Sequence, residues 1–368
     1  MTTEAEALAQ LARDELASLP RGIADVHAAI ARRVFDALGP PAAPVRLAHD
    51  AIARTAYESV RGGLWLTAHA AGAAVKDRPL SDTPRGAAAI AALNGLIGDR
   101  LEADGSPLAT PMQVRRRGEP PTPRIAVFVH GLGETEHAWG RNSYGDRLQR
   151  DLGYTPVFVR FNSGRHVSQN GASLAALLDD LVAAWPVAVE RIALVGHSMG
   201  GLVARSAAHH GGAWTERVSH TVSLGTPHAG APLEQAVHVL SAALDAAPET
   251  RPFARFLRRR SAGIRDLRRG SLVDEDWRDQ DPDALRAQAC AEVPLLETAT
   301  HCFVAATVTR SPDHPVARLL GDALVLSPSA SGLRIGLEAR NGLALGGTHH
   351  LALLNHPKVY EQLRAWLA

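Results

Sequence analysis

The sequence GHSMG at residues 196–200 has the spacing of a nucleophilic serine. It follows an apolar run at 191–195 and leads directly into a helical pattern. A serine in a tight strand-to-helix turn favours glycine two positions to either side, because side chains there would clash. The turn exposes the hydroxyl, and the helix aims its first amides at developing negative charge. We therefore predict that Ser198 is the nucleophile of an acyl transfer, supported by Gly196 and Gly200.

A second glycine-containing segment, HGLG at residues 130–133, directly follows another apolar strand pattern. Acyl transfer develops an oxyanion, which requires two preorganised N–H donors at about 3 Å. One predicted donor is the backbone amide of Met199, just after the nucleophile. The other is the amide of Leu132. We expect His130 to brace this loop and Gly131 to support it.

These motifs lie in a region where strand and helix patterns alternate. Strands separated by helices of ordinary length predict the α/β class, with a mostly parallel sheet and helices on both faces. The predicted strands are 125–129, 156–159, 191–195, 218–224 and 302–308, and the main helical patterns are 172–184, 201–209 and 357–367.

The chain divides into three parts by composition. Residues 1–104 are rich in alanine and leucine at helical spacing and predict an N-terminal helical region. Residues 105–124 combine turn formers with arginines, which is typical of a linker. The remainder, 125–368, is the predicted α/β domain. Strand patterns are missing from 239–296 within it, so we expect a cap-like insertion over the site.

Three motifs together resemble the α/β-hydrolase lipases and esterases: HGLG, GHSMGG and the LGTPHAG segment at 224–230. The nearest branch is the bacterial lipases similar to GPI inositol-deacylases. The resemblance spans roughly residues 125–367 and leaves the N-terminal helical region uncovered. It implies an α/β-hydrolase fold and a triad in the order serine, acid, histidine.

The resemblance also implies where the acid and the base lie. The segment LGDALV is similar to the part of such lipases that carries the acid, which favours Asp322 over its rival Asp313. The segment GGTHHL precedes the last helical pattern, where these lipases carry the base. The spacing of the leucines that follow favours His350, with His349 as the alternative.

The function that follows is hydrolysis of a carboxylic ester by an esterase or lipase, through an acyl-enzyme. The expected substrate is a small-molecule or lipid ester, which would place the protein in lipid metabolism. Thioesterases, amidases and acyltransferases use the same triad, and fold analogy does not separate them. A non-catalytic interaction protein on this fold is the alternative from another class.

The composition indicates which partners and cofactors the protein is expected to bind. The 39 basic and 38 acidic side chains give a net charge of +1, which does not favour nucleic acid. The adjacent histidine pairs point apart and there is no H-E-x-x-H helix, so we expect neither a metal nor another cofactor. Cys290 and Cys302 are expected as buried free thiols, with a bridge between them as the alternative.

The N-terminus lacks the basic start and apolar run of a signal peptide, and no apolar stretch is long enough for a membrane span. A cytoplasmic protein is therefore expected. Peripheral membrane contact is compatible with this sequence, and the sequence leaves the oligomeric state open.

Overall fold

A computed structural model describes residues 3–16, 79–116, 120–231, 260–281, 289–312 and 341–368, with single positions and short stretches between 31 and 51 and between 322 and 330. The helices in these residues are α1 Glu4–Leu16, α2 Pro84–Ala103, α3 Tyr144–Leu152, α4 Val167–Ala183, α5 Met199–His210, α6 Ala262–Leu267, α7 Ser327–Ala330 and α8 Pro357–Leu367. The strands are β1 Gln113–Arg116, β2 Arg124–Val129, β3 Tyr154–Arg160, β4 Arg191–His197, β5 Val218–Leu224, β6 Thr300–Ala306 and β7 Gly342–Leu345.

The described strands form one seven-stranded sheet in the order β1-β3-β2-β4-β5-β6-β7. All neighbouring pairs are parallel except β1 and β3, which are antiparallel. The predicted parallel α/β sheet is confirmed. Each of the five predicted strands corresponds to a strand within about two residues, whereas β1 and β7 were not predicted.

The central strands are buried on both faces. Val127 and Val129 of β2 face one apolar cluster, in which α4 and α5 pack against the sheet. Ala126 and Phe128 face the opposite cluster, which contains α3 and α8. Because both faces are covered, such strands are apolar throughout rather than alternating.

Helix α2 connects the N-terminal region to the rest of the molecule. It begins at Pro84 after the cap Thr83, whose hydroxyl accepts a hydrogen bond from the Gly86 amide at 3.0 Å. The helix kinks at Ile97, where φ is −142° and ψ is 22°. Close to the kink, the Gly98 carbonyl accepts a hydrogen bond from Asn162 Nδ2 at 2.8 Å. This helix belongs to the predicted N-terminal helical region at 1–104, and it packs on the α/β domain.

The predicted linker and insertion both contain regular structure. Residues 113–116 of the linker form β1, which pairs with the edge of β3. The described part of the 239–296 insertion contains α6 and contributes no strand to the sheet. Near the start of α6, the Gly263 amide donates to the Gly164 carbonyl at 3.0 Å. Much of the predicted N-terminal helical region at 1–104 lies outside the described residues.

Among the described residues, no helix is both long and apolar enough to cross a membrane.

Candidate active site

Ser198 occupies the turn between β4 and α5, in a backbone conformation that serine rarely adopts. Its φ is 53° and its ψ is −124°. The Ser198 amide donates to the Leu224 carbonyl at 2.9 Å, and the Ser198 carbonyl accepts from the Gly201 amide at 3.1 Å. Backbone strain of this kind costs about 1–3 kcal/mol and persists only where the surroundings hold it. The β4 and β5 ends hold it here.

The glycines beside Ser198 are required by close backbone contact. A Cβ on Gly196 would lie 2.5 Å from the Gly201 Cα. A Cβ on Gly200 would lie 2.1 Å from the Val129 carbonyl oxygen at the end of β2. Neither position has room for a side chain, so a larger residue at Gly196 or Gly200 would displace the turn.

Asp322 and His350 form a buried pair. His350 Nδ1 lies 2.6 Å from Asp322 Oδ2, and the two residues are 4% and 1% exposed. The other carboxylate oxygen of Asp322 accepts hydrogen bonds from the amides of Leu324 and Val325 at 3.0 and 2.8 Å. The His350 amide also donates to the Asp322 carbonyl at 3.2 Å. Both side chains are therefore fixed in orientation before any substrate binds.

His349 and Asp313 are the alternative candidates for the base and the acid. His349 is exposed and directly precedes the helical turn His350–Leu354, whereas His350 is buried against Asp322. Asp313 lies outside the described residues.

His350 reaches the same edge of the sheet as Ser198. Residue 197, which precedes the serine, pairs with Leu224 in the β4–β5 register. The next residue on β5, Gly225, lies against the imidazole of His350: a Cβ there would be 3.1 Å from its Cε1 and Nδ1. The centroids of the His197 and His350 rings are 4.7 Å apart. Ser198 and the Asp322–His350 pair thus lie at the same edge of the sheet, at the carboxyl ends of β4 and β5.

The turn that carries His350 is held from behind by Tyr144 of α3. The buried Tyr144 hydroxyl donates to the Leu353 carbonyl at 2.7 Å and accepts from the His356 amide at 2.6 Å. Burial raises the pKa of Tyr144, so the hydroxyl keeps its proton and both bonds persist. This contact fixes the backbone immediately after the histidine.

The HGLG loop lies beside the serine. A Cβ on Gly131 would be 3.0 Å from the Ser198 Cβ. The Gly131 amide donates to Glu134 Oε2 at 2.8 Å, and the Gly133 amide donates to Ser163 Oγ at 2.9 Å. The amides on both sides of Leu132 are therefore engaged in holding the loop. Met199, the other residue predicted to supply an oxyanion donor, is the first residue of α5 and is fully buried.

His130 lies beneath this loop. Its Nδ1 donates to the Gly131 carbonyl at 2.8 Å, and its Nε2 accepts from the Phe161 amide at 3.4 Å. The ring stacks on Phe161 with a centroid distance of 4.3 Å. Burial lowers the pKa of His130, which keeps the ring neutral and suits one donated and one accepted bond. Its position suits the bracing role predicted from the sequence.

Two further residues at this site were missed by the sequence analysis. Glu134 Oε2 lies 3.1 Å from His197 Nδ1, and His197 Nε2 lies 3.3 Å from the His350 carbonyl oxygen. Burial alone would raise the pKa of Glu134, but the charge and hydrogen bond of His197 and the Gly131 amide lower it to about 2. Burial would likewise lower the pKa of His197, and Glu134 raises it. The only sequence signal was a carboxylate directly after HGLG.

The two cysteines and His228 take no part in the hydrogen bonds described above for the candidate site. Cys290 and Cys302 are free thiols, and burial raises the pKa of Cys302 to about 12. His228 of the LGTPHAG segment is buried, and neither ring nitrogen has a hydrogen-bond partner. In the described part of the chain, no group of three or more histidine, cysteine or acidic side chains is arranged to hold a metal ion.

The sheet order, the parallel strands and the strand-to-helix turn at Ser198 define the α/β-hydrolase fold. Residues 161–281, which contain that turn, match the model of the PGAP1-like alpha/beta domain family. The chain resembles α/β-hydrolase lipases similar to GPI inositol-deacylases, as the motifs predicted.

Solved structures with a similar arrangement include several lipases and esterases. The mature lipase BlEst2 of Bacillus licheniformis is 21% identical with a TM-score of 0.46, covering 70% of this chain and 99% of that one. A lipase-esterase related protein from Clostridium acetobutylicum is 16% identical with a TM-score of 0.39, covering 70% and 100%. Naproxen esterase from Bacillus subtilis is 14% identical with a TM-score of 0.40, covering 70% and 87%. No curated protein sequence matches the chain.

Proposed function

We propose that this protein is a serine hydrolase that cleaves carboxylic esters, with Ser198, His350 and Asp322 as its catalytic triad. The observation that carries the proposal is the buried Asp322–His350 pair, with 2.6 Å between Oδ2 and Nδ1, at the strand ends beside Ser198. A structural serine would not require a left-handed backbone, two flanking glycines and an oriented histidine at the same edge of the sheet. A non-catalytic role on this fold would leave that combination without a purpose.

In this proposal each member of the triad has a distinct role. Because His350 Nδ1 donates to Asp322, Nε2 is left as the proton acceptor. His350 takes the Ser198 proton as Oγ attacks the ester carbonyl. It then returns the proton to the departing alkoxide, and Asp322 stabilises the imidazolium in between. Water repeats the sequence on the acyl-enzyme, which releases the carboxylic acid.

The oxyanion that forms in both steps accepts hydrogen bonds from the Leu132 and Met199 amides in this proposal. Gly131 and Gly133 donate to side chains of the protein, which fixes the loop on both sides of Leu132 and supports this assignment. Losing one such donor costs about 100- to 1000-fold in kcat in serine hydrolases. The substrate we propose is a small-molecule or lipid ester, cleaved without a cofactor; a cytoplasmic location remains a prediction from the sequence.

The first experiment is hydrolysis of p-nitrophenyl esters of increasing acyl length by the wild type, Ser198→Ala and Asp322→Asn. We expect Ser198→Ala to lower kcat by about 10⁵- to 10⁶-fold and Asp322→Asn by about 10⁴-fold. Asp313→Asn serves as the matched control and should leave kcat unchanged. Full activity in Ser198→Ala would exclude this nucleophile.

Thioester and amide analogues of the preferred acyl group separate the other triad chemistries. The proposal requires the oxygen ester to have the highest kcat/KM after correction for its spontaneous hydrolysis. A higher corrected value for the thioester or the amide would replace the ester assignment with a thioesterase or an amidase.

A further inference from the structure

Glu134 and His197 form an ion pair that has no role in the proposed ester hydrolysis, and the histidine immediately precedes Ser198. The His197 side chain is fully buried and that of Glu134 is 14% exposed. Glu134 follows the HGLG loop, and His197 is the last residue of β4. A single carboxylate oxygen, Glu134 Oε2, lies 3.1 Å from His197 Nδ1 and 2.8 Å from the Gly131 nitrogen. The opposite ring nitrogen, His197 Nε2, lies 3.3 Å from the His350 carbonyl oxygen.

The partners of His197 determine its protonation. A carboxylate oxygen and a backbone carbonyl can only accept hydrogen bonds, so the imidazole must donate from both nitrogens. An imidazole that donates twice is an imidazolium. The fully buried ring also packs edge-to-face with Trp139 at a centroid distance of 6.4 Å, and it feels the charge of Asp322, while His130 acts on the charge of Glu134. The carboxylates of Glu134 and Asp322 stabilise the positive charge in this dry environment.

We infer that the Glu134–His197 pair is a positioning device that couples the oxyanion loop to the backbone of the base His350. This inference rests on the proposed function. Glu134 holds Gly131, which contacts Ser198, while His197 holds the carbonyl of His350. Hydrogen bonds to charged groups are shorter and stronger than neutral ones, and in a dry interior they hold geometry tightly. The same ion pair therefore holds both the loop beside Ser198 and the backbone of His350.

The coupling predicts a specific failure when the charge of Glu134 is removed. In Glu134→Gln, His197 loses the anion that stabilises its second proton and becomes neutral. It then donates from only one nitrogen. A glutamine oxygen at the position of Glu134 Oε2 keeps the bond from Gly131 but leaves either that oxygen or the His350 carbonyl without its histidine donor. A glutamine NH2 at the same position pairs with His197 Nδ1 but gives up the bond from the Gly131 amide. Displacement of a catalytic group by about 1 Å can cost about 100-fold in rate. We expect kcat to fall by about 30- to 100-fold, with KM within about threefold of wild type.

The test uses the full chain and two independent readouts. Nitrogen-15 NMR of labelled histidines should show an imidazolium at pH 7 in the wild type that is absent from the His197→Asn spectrum. Glu134→Gln should lose the same signal and show the fall in kcat. Glu134→Asp, which keeps the charge, should retain the signal and recover part of the activity.

Asp266→Asn is the matched control, because Asp266 forms a similar buried pair away from the triad. His166 Nδ1 lies 3.1 Å from both Asp266 carboxylate oxygens, and the Val167 amide donates to Asp266 Oδ2 at 2.7 Å. This variant should lose stability and keep kcat within about threefold, which separates positioning from general loss of stability.

Two results would overturn the inference: a neutral His197 in the wild type at pH 7, or a Glu134→Gln variant with unchanged kcat. Failure of the proposed function looks different, because the wild type would then hydrolyse no ester while the NMR readout still reports on the ion pair. If Glu134→Gln does not fold, the wild-type spectrum and Glu134→Asp decide.

Discussion

At the scale of single residues, the backbone conformation of Ser198 lowers the stability of the protein at the residue proposed as its nucleophile. Its left-handed conformation is strained for any residue with a Cβ and accessible to glycine. We expect Ser198→Gly to have a free energy of unfolding about 1 kcal/mol higher than Ser198→Ala, with both variants inactive. Urea denaturation of the two variants measures the difference.

The control is an alanine-to-glycine change where the backbone is helical. Ala88 lies exposed inside α2, so Ala88→Gly should lower the free energy of unfolding by about 1 kcal/mol. If Ser198→Gly is also less stable than Ser198→Ala, the turn is not strained in the manner described.

Sequence reasoning located some site residues and could not locate others, for a physical reason. Ser198 was predictable because its motif is local: five residues and the elements beside them carry the signal. His349 and His350 are adjacent, and only the fold buries one of them against Asp322. The Glu134–His197 contact was not predictable, since it depends on the neighbouring positions of β2 and β4 in the sheet.

At the scale of elements, helix α2 supports the HGLG loop through a close contact between two glycines. A Cβ on Gly95 would lie 3.1 Å from both the nitrogen and the Cα of Gly133, so Gly95→Ala must push the loop away by a few tenths of an ångström. Because oxyanion donors act over short distances, we expect kcat to fall by about tenfold with little change in KM. Steady-state kinetics on the best p-nitrophenyl ester measures this.

The neighbouring residue supplies the comparison. Leu96 is 46% exposed on the same helix, and Leu96→Ala should keep the wild-type kcat. Equal kcat in Gly95→Ala and the wild type would show that α2 does not set the position of the loop.

Elements with long periodic patterns were predicted most completely. The long buried strands and helices α4, α5 and α8 were recognised, because burial on defined faces dictates their periodicity, whereas the nine-residue helix α3 was not predicted. Strand β1 was not predicted because its four residues, two of them arginines, carry no strand pattern. They form a strand by pairing with the edge of β3. The kink of α2 was not predicted either; next to it, the Gly98 carbonyl accepts a hydrogen bond from Asn162, a residue far away in the sequence.

At the scale of the whole molecule, His228 makes stability depend on pH. Burial, together with the charge of Arg205, lowers the pKa of His228 to about 3 in the folded protein, against about 6.5 when unfolded. Below pH 6.5 the unfolded chain binds a proton that the folded protein refuses, so stability falls as the pH falls. We expect this residue alone to account for about 3 kcal/mol between pH 6.5 and pH 4.

Urea denaturation at a series of pH values tests this dependence. His228→Leu should flatten the curve over that range, whereas His209→Leu, at the exposed end of α5, should leave it unchanged. A wild-type curve that already matches the His228→Leu curve would contradict the assignment.

The contact of Tyr144 with the turn after His350 has a consequence for biosynthesis. The hydroxyl of Tyr144 bonds to Leu353 and His356, which lie 209 and 212 residues further along the chain. During translation, the oxyanion loop and the serine leave the ribosome long before these partners exist. If the proposed function holds, the nascent protein carries Ser198 without His350, and we expect ester cleavage to begin only when the segment that completes this contact has emerged and docked.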